Sequence, residues 1–136
     1  MNRHEQRKKI FQLLFQIDHD AVQLSEAAFY DLLDDYSYIK DVVSYYEQNK
    51  EHVNDNISKH LKNYTLERIS KAERNVLRMA ISELFLQDSP PRVIINEAVK
   101  IIKLYGDKDS YKFVNGVLKN FPELLEEMDE NSDGKQ

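Results

Sequence analysis

The sequence has no cysteine and no tryptophan, and only 3 of its 136 residues are glycine and 3 are proline. Without cysteine the chain has no disulfide bonds, no thiolate metal ligands and no cysteine nucleophile. So few glycines and prolines cannot supply the turns of a protein built from many strands and hairpins. Helices joined by short loops are favoured, and we predict an all-α fold.

Long apolar runs are also missing. No segment approaches the ~18 apolar residues of a membrane span, and the amino-terminal MNRHEQRKKIFQLLFQ lacks the uninterrupted apolar core of a signal peptide. We therefore expect a cytoplasmic protein that neither spans nor binds a membrane. The hydrophobic content of 41% suits one domain with one buried core.

The net charge of −5 is concentrated at one end of the chain. Residues 123–136 contain six acidic residues and one lysine, so the remaining chain is neutral overall. Within that neutral part, the first ten residues carry Arg3, Arg7, Lys8 and Lys9 against Glu5. Because local charge decides whether a phosphate backbone can dock, the overall sign does not exclude a nucleic acid.

Apolar residues recur at helical spacing along most of the chain. They predict helices over about residues 3–18, 25–34, 37–64, 70–87, 92–106 and 110–121. Ser70 and Glu73 form the S-x-x-E pattern of a capping box, which marks the start of the fourth helix. Pro90 and Pro91 separate it from the fifth, which is apolar nearly all round and which we expect at the centre of its half of the fold.

The pair Asn115-Gly116 is a common β-hairpin turn, but the apolar residues on both sides of it recur at helical spacing. Because no strand candidate flanks the pair, we place it inside the last helix. A glycine there costs about 1 kcal/mol relative to alanine. We therefore expect a neighbouring backbone close to Gly116, so that Gly116→Ala overpacks the contact and costs about 1 to 3 kcal/mol.

Sequence signals of catalysis are absent. The histidines have no metal-binding spacing, and the chain contains neither a phosphate-binding loop nor a nucleophile elbow. We expect all four histidines at the surface: His4, His19, His52 and His60. Carboxylates on helices this rich in charge are typical of solvated faces. We predict no enzyme activity, no metal and no cofactor.

Basic and aromatic side chains are interleaved in three places. They occur at i+4 spacing on helix one (Arg3, Arg7, Phe11, Phe15), after the capping box (Arg74, Arg78) and around Gly106 (Tyr105, Tyr111, Lys112, Phe113). Single-stranded RNA is typically held in this way, with bases stacked on rings and phosphates bound by lysine and arginine. The alternative is that Phe11 and Phe113 belong to the core and that residues 3–9 are an ordinary solvated helix start.

Residues 66–121 resemble the carboxyl-terminal half of the NusB family of bacterial transcription antitermination factors. The segments RVIINEAVKIIKLYG and KFVNGVL match that family especially closely, and RHEQRKKIFQLLFQID resembles its arginine-rich first helix. Residues 20–64 match only in length and helical character. The resemblance implies about seven helices in a single domain over residues 1–128, with sub-bundles at about 1–64 and 65–128. Residues 129–136 form an acidic tail that we expect to be disordered.

The same resemblance implies a role in processive antitermination of ribosomal RNA operons, without catalysis. The family binds the single-stranded boxA element of nascent RNA together with NusE, a ribosomal protein of the small subunit. The pair then joins RNA polymerase with the other Nus factors. Members are known as monomers and as homodimers. If this chain forms a homodimer, we expect it to cover part of the RNA or partner surface, because Phe15 and its neighbours otherwise leave an apolar strip exposed.

By position, the resemblance assigns ten residues to the RNA surface: Arg3, Arg7, Phe15, Glu67, Glu73, Arg78, Tyr105, Asp109, Lys112 and Phe113. Carboxylates there can accept hydrogen bonds from the exocyclic amines of bases. Glu73 could instead only complete its capping box, and Asp109 could only cap the following helix. Phe15 stands where the family commonly has tyrosine, and helix one has fewer arginines than many members. We therefore expect weak RNA affinity without NusE.

Two other functions remain open on the sequence. The chain could be a helical protein-interaction module that never contacts RNA. It could also be an accessory domain of an rRNA methyltransferase, because a NusB-like domain precedes the catalytic domain of some of these enzymes. We expect 136 residues to be too few for a methyltransferase, and an RNA titration with and without NusE tests the interaction module.

Overall fold

The computed structural model describes residues 1–122, and over this range the chain forms seven α-helices and no β-strand. They are α1 (Arg3–Gln16), α2 (Leu32–Asp35), α3 (Ser37–Gln48), α4 (Lys50–Lys59), α5 (Lys71–Leu86), α6 (Pro91–Tyr105) and α7 (Ser110–Lys119). Short 3₁₀ turns follow α1 at Asp18–Asp20 and Leu24–Glu26. The predicted all-α fold is confirmed. The predicted tail at 129–136 and the end of the second sub-bundle lie outside the described residues.

The central helix is α5, which packs against α1, α3, α4, α6 and α7. Its fully buried apolar side chains are Val76, Leu77, Met79, Ala80 and Ile81. By contrast, α6 exposes Val93 and Leu104, so our expectation that this apolar helix lies at the centre of its half is wrong. Because α5 contacts helices from both predicted sub-bundles, a division of the domain near residue 64 stays a prediction.

The start of α5 is the capping box that the sequence predicts. The Glu73 amide donates to the Ser70 hydroxyl at 3.0 Å, and the Ser70 amide donates to Glu73 Oε1 at 3.0 Å. Two backbone donors that the first helical turn would leave free are thereby satisfied. The helix ends at Leu86, and the φ of 57° at the next residue, Gln87, lies in the left-handed region typical of helix ends.

The predicted long helix over residues 37–64 is in fact two helices, because the chain turns at Asn49. Its side-chain amide donates to the Tyr45 carbonyl at 2.9 Å, and its φ and ψ of −130° and 30° are not helical. Asparagine side chains compete with the helical backbone for such carbonyls. The second of these helices, α4, ends at Lys59, five residues before the predicted end.

The predicted helix over residues 25–34 is also wrong in most of its length, since only Leu32–Asp35 is α-helical. The side chain of Gln16 on α1 bonds to both backbone groups of Ala28, accepting from its amide at 2.7 Å and donating to its carbonyl at 3.0 Å. These bonds replace the helical ones, which a segment needs to satisfy its backbone polar groups.

Gly116 lies within α7, as predicted, but nothing packs closely against it. A Cβ atom built there has no neighbour within 4 Å, so the expectation of a close backbone is wrong and the structure gives no reason for Gly116→Ala to lose stability. The close contact is instead at Gly106, where a Cβ would lie 2.8 Å from the Ile102 carbonyl oxygen. A larger residue would therefore clash at Gly106, after α6, and not at Gly116, inside α7.

No helix within residues 1–122 combines the length and the apolar character that crossing a membrane requires.

Gly116 and Gly106 offer a matched pair of substitutions, because a Cβ atom has room at the first and none at the second. We expect Gly116→Ala to raise the free energy of unfolding by about 1 kcal/mol, because alanine favours the helix and meets no obstacle. We expect Gly106→Ala to lower it by about 1 to 3 kcal/mol, because its methyl group overpacks the end of α6. Urea denaturation of both variants measures these changes, and a destabilised Gly116→Ala would restore the packing role that the structure does not show.

Candidate RNA interface

Arg7, one of the ten predicted RNA-binding residues, points into the protein and is 2% exposed. Its Nε donates to Glu83 Oε1 at 2.7 Å, and its Nη2 donates to the Ser89 hydroxyl at 3.1 Å. The Tyr38 hydroxyl donates to the same Glu83 oxygen. Burial raises the pKa of Glu83, against the attraction of the Arg7 charge. In this arrangement the Arg7 guanidinium holds α1, α3 and α5 together and does not reach a phosphate.

Arg78 is equally buried, at 3% exposure. Its Nη1 donates to Asp18 Oδ1, and its Nε donates to Asn54 Oδ1 at 2.9 Å. Arg74 binds both oxygens of the same carboxylate, with Nε 3.1 Å from Asp18 Oδ1 and 3.0 Å from Asp18 Oδ2. Arg74 and Arg78, which resembled a basic helix face in the sequence, therefore form a double ion pair with Asp18, two residues after the end of α1.

The Asp18 carboxylate is the acidic partner that the sequence analysis missed. Burial of the carboxyl acts to raise its pKa, but hydrogen bonds from Arg74 and Arg78 prevail and hold the pKa of Asp18 below its ordinary value. A carboxyl whose pKa is lower in the folded state stabilises the fold above its unfolded pKa of about 3.9. This stability is lost as the pH falls through the folded pKa.

Two depressions bring most of the other predicted residues together, and the first is an aromatic slot between α1, α6 and the loop before α2. It is lined by Phe11, Gln12, Phe15, Gln16, Ala28, Phe29 and Tyr105. Phe11 and Tyr105 stack with ring centroids 4.8 Å apart, and the Gln12 amide donates to the Tyr105 hydroxyl at 2.9 Å. Phe15 and Tyr105 remain 36% and 39% exposed. Phe11 is core, as the alternative interpretation held, whereas Phe15 and Tyr105 present ring surface to solvent.

The second depression is a groove between the start of α5 and the start of α7. It is lined by Tyr64, Arg68, Ile69, Ser70, Glu73, Asp107, Lys108, Asp109, Ser110 and Phe113. Three predicted residues therefore meet there: Glu73, Asp109 and Phe113. The Tyr64 ring lies edge-on to Phe113, with centroids 5.4 Å apart. Neither Arg68 nor Lys108 was singled out from the sequence, because only the fold places these loop residues beside α7.

The two alternatives for the carboxylates in this groove have different outcomes. Glu73 does complete the capping box, and it lines the groove as well. Asp109 precedes α7 but makes no capping hydrogen bond with its side chain; the Ser110 hydroxyl instead accepts from the Asp107 amide at 3.1 Å. Capping therefore accounts for Glu73 in part and does not account for Asp109.

Lys71 joins the two depressions. It follows Ser70 of the groove, and its Nζ lies 4.3 Å from the centroid of the Phe15 ring in the slot. We call the slot, the groove and Lys71 together the exposed strip. Arg3, Glu67 and Lys112 are exposed but line neither depression. The Arg3 guanidinium carbon lies 3.7 Å from the Tyr38 ring centroid, on the outside of the buried Arg7 cluster.

Within residues 1–122 no three histidine, cysteine or acidic side chains come together in a way that could hold a metal ion. His4 and His60 are only partly exposed, so the expectation of four surface histidines is wrong for these two. His60 stacks on Phe121 with centroids 3.9 Å apart, and His4 Nδ1 lies 2.5 Å from Glu97 Oε2. They take part in contacts between helices.

These features define a class of small all-helical proteins that expose aromatic rings beside lysines along one surface. The chain belongs to the NusB family, whose sequence model matches residues 4–123. The transcription antitermination protein NusB of Oceanobacillus iheyensis is 40% identical over 126 residues, which are 87% of this chain and 96% of that protein.

Solved structures agree with this assignment. NusB of T. maritima has a TM-score of 0.78 and 32% identity, covering 88% of this chain and 89% of that one. A chain from the complex of the antitermination factors NusB and NusE with double-stranded RNA has a TM-score of 0.74 and 30% identity, covering 88% of this chain and 96% of that one.

The two arginine ion pairs of Asp18 predict a particular response to acid. We expect the wild type to lose stability as the pH falls below about 4, and Asp18→Asn to be about 3 kcal/mol less stable at pH 7 because two guanidinium groups lose their counter-charge. The variant should therefore lose less stability between pH 5 and 3 than the wild type.

Denaturation midpoints at several pH values measure this difference. Asp20→Asn is the matched control, because Asp20 is exposed and pairs only with Lys50, a surface contact of about 0 to 1 kcal/mol. Parallel stability curves for the wild type and Asp18→Asn would show that Asp18 does not titrate as its contacts require.

Proposed function

We propose that this chain is a cytoplasmic transcription antitermination factor that binds boxA-type single-stranded RNA together with NusE. In this role it acts on RNA polymerase with the other Nus factors, promotes processive transcription of ribosomal RNA operons and catalyses no reaction. The observation that carries the proposal is the exposed strip, in which ring faces, ammonium groups and carboxylates adjoin on one surface.

Each type of side chain on the strip suits a different part of single-stranded RNA. The partly exposed rings of Phe15 and Tyr105 can stack on unpaired bases. Lys71, Arg68 and Lys108 can neutralise phosphates. The Glu73 and Asp109 carboxylates can accept hydrogen bonds from the exocyclic amines that adenine, cytosine and guanine carry and uracil lacks.

The geometry narrows the set of ten residues that the family resemblance assigned. We propose that Arg7 and Arg78 position α1 and α5, because both are buried in ion pairs. The other eight remain proposed RNA-facing residues: Arg3, Phe15, Glu67, Glu73, Tyr105, Asp109, Lys112 and Phe113. We add Tyr64, Arg68, Lys71 and Lys108, which the structure places on the same strip.

We propose that NusE is needed for tight binding. The cationic side chains of the groove are interspersed with Glu73, Asp107 and Asp109, so the local excess of positive charge is small. The related NusB structure that contains NusE holds double-stranded RNA, whereas exposed ring faces suit unpaired bases.

Titration of this protein with single-stranded and double-stranded RNA, each with and without NusE, tests the proposal. We expect the tightest binding for the single strand in the presence of NusE. The aromatic slot is apolar enough to take part in a protein contact, including a homodimer. Absence of RNA binding in all four titrations, together with self-association in sedimentation, would favour a protein-interaction module.

Salt dependence separates charge from stacking. Of the four basic side chains among the ten predicted residues, Arg7 and Arg78 are buried, and Arg3 and Lys112 are exposed. We expect Lys112→Gln to weaken all RNA sequences alike and to make the slope of log affinity against log salt shallower by about 0.7. The control is Lys119→Gln, an exposed position about two turns further along α7. Equal slopes for wild type and Lys112→Gln would remove Lys112 from the interface.

Asp109→Asn tests the carboxylates, because Asp109 makes no capping bond that its loss would disturb. We expect a change in stability below about 1 kcal/mol, limited to the interaction of the carboxylate with the helix dipole. We expect RNA to bind at least as tightly, since a negative charge is removed, and the preference among bases to change. Affinities for a panel of single-base variants of the RNA measure both effects. An unchanged preference would show that Asp109 does not read bases.

A further inference from the structure

Phe29 is a large aromatic residue in a conformation that such residues rarely adopt. Its φ is 73°, in the left-handed region, and its side chain is 39% exposed. The two hydrogen bonds between the Gln16 side chain and the Ala28 backbone attach the adjoining backbone to α1. Backbone conformations of this kind persist where the surroundings determine them, and they concentrate at binding sites. The Phe29 ring thus stands on a backbone that is held in place, and it lines the aromatic slot together with Phe15.

The slot has an apolar interior and cations at its ring faces. Its polar side chains, Gln12 and Gln16, already bond to Tyr105 and Ala28. Lys9 Nζ lies 3.8 Å from the Phe29 ring centroid, while Lys71 Nζ lies 4.3 Å from that of Phe15. A flat aromatic group with negative charge on either side complements this combination. A nucleotide has that form, since an uncharged base is joined to anionic phosphates.

We propose that Phe29 completes a slot for one unpaired nucleobase of the bound RNA, with Lys9 and Lys71 neutralising the phosphates that flank it. This inference rests on the proposed function and adds to it a residue and a lysine that the resemblance does not assign. Entry of the base displaces an ammonium group from a ring face, and that group then pairs with a phosphate. An exposed Lys–ring contact is thus exchanged for a base–ring contact and an ion pair.

The charge at the rim favours a nucleotide over the other candidates for this slot. An apolar protein side chain would fill the same space, but it would bring no partner for the two ammonium groups. A second copy of this chain that met the same face about a two-fold axis through the slot would bring Lys9 and Lys71 close to the same two lysines of the other copy. Repulsion between like charges opposes that arrangement.

The direct test uses the protein in complex with NusE and compares Phe29→Gly with Tyr30→Ala. Glycine tolerates positive φ, so Phe29→Gly removes the ring without adding backbone strain. We expect its affinity for single-stranded RNA to fall by about 5- to 150-fold, the range for loss of one stacked base, with the salt slope unchanged. Tyr30 is exposed but does not line the slot, so Tyr30→Ala should bind as the wild type does.

Lys9→Gln tests the rim separately. We expect a smaller loss of affinity and a salt slope shallower by about 0.7, because one phosphate contact is removed and the rings remain. A steeper or unchanged slope would show that Lys9 does not neutralise a phosphate.

A scan of single abasic positions in the RNA locates the base. At the RNA position whose base enters the slot, the abasic site and Phe29→Gly should cause losses of binding free energy that are not additive, because either change removes the same contact. At every other position they should add. Additive losses throughout, or wild-type affinity in Phe29→Gly, would overturn the slot. If Phe29→Gly instead changes only self-association, the slot holds a second copy and the proposal is wrong.

The outcomes also distinguish this proposal from the proposed function. If the wild type with NusE binds no RNA, the proposed function fails. If the wild type binds RNA and Phe29→Gly binds equally well, only the nucleobase slot fails. Thermal denaturation of Phe29→Gly confirms in either case that the variant is folded.

Discussion

The geometry of the fold depends on two buried clusters of charge that join α1 to α5, one near each end of α1. Arg7 pairs with Glu83 near the end of α5, and Asp18 pairs with Arg74 and Arg78 near its start, so the two helices lie antiparallel. Removing charges from water is costly, and it is offset only where the partners are well placed. Both sets of ion pairs can therefore form in only one alignment of α1 on α5, and that alignment places Phe15 beside Lys71.

The candidate site could be predicted in part. The interleaved rings and cations, and the resemblance that named them, identified Phe15, Tyr105, Asp109 and Phe113, which line the exposed strip. The burial of Arg7 and Arg78 could not be predicted, because arginines at i+4 spacing look the same on a solvated face and in an internal ion pair. Their acidic partners lie 76 and 60 residues away in the chain. Only tertiary structure brings such groups together.

Prediction of the fold succeeded where the sequence signal was local. It failed where a competing hydrogen bond or a distant contact determined the conformation. The capping box and the two prolines gave the start of α5 and α6 nearly to the residue. The break at Asn49 arises from a side-chain bond that periodicity does not reveal. Gly116 was placed correctly in a helix, but its surroundings were not, because hydrophobic spacing identifies the buried face and not the open space at one position.

The attachment of Ala28 to Gln16 has an entropic consequence for the loop that carries Phe29. A loop that becomes ordered only on ligand binding lowers the affinity, because part of the binding free energy offsets the lost conformational entropy. Here both backbone groups of Ala28 are hydrogen-bonded in the free protein. The conformational entropy of that residue is therefore lost when the chain folds and not when the ligand binds. Energetically the loop is an extension of α1, and Gln16 supplies both bonds because a primary amide can donate and accept at once.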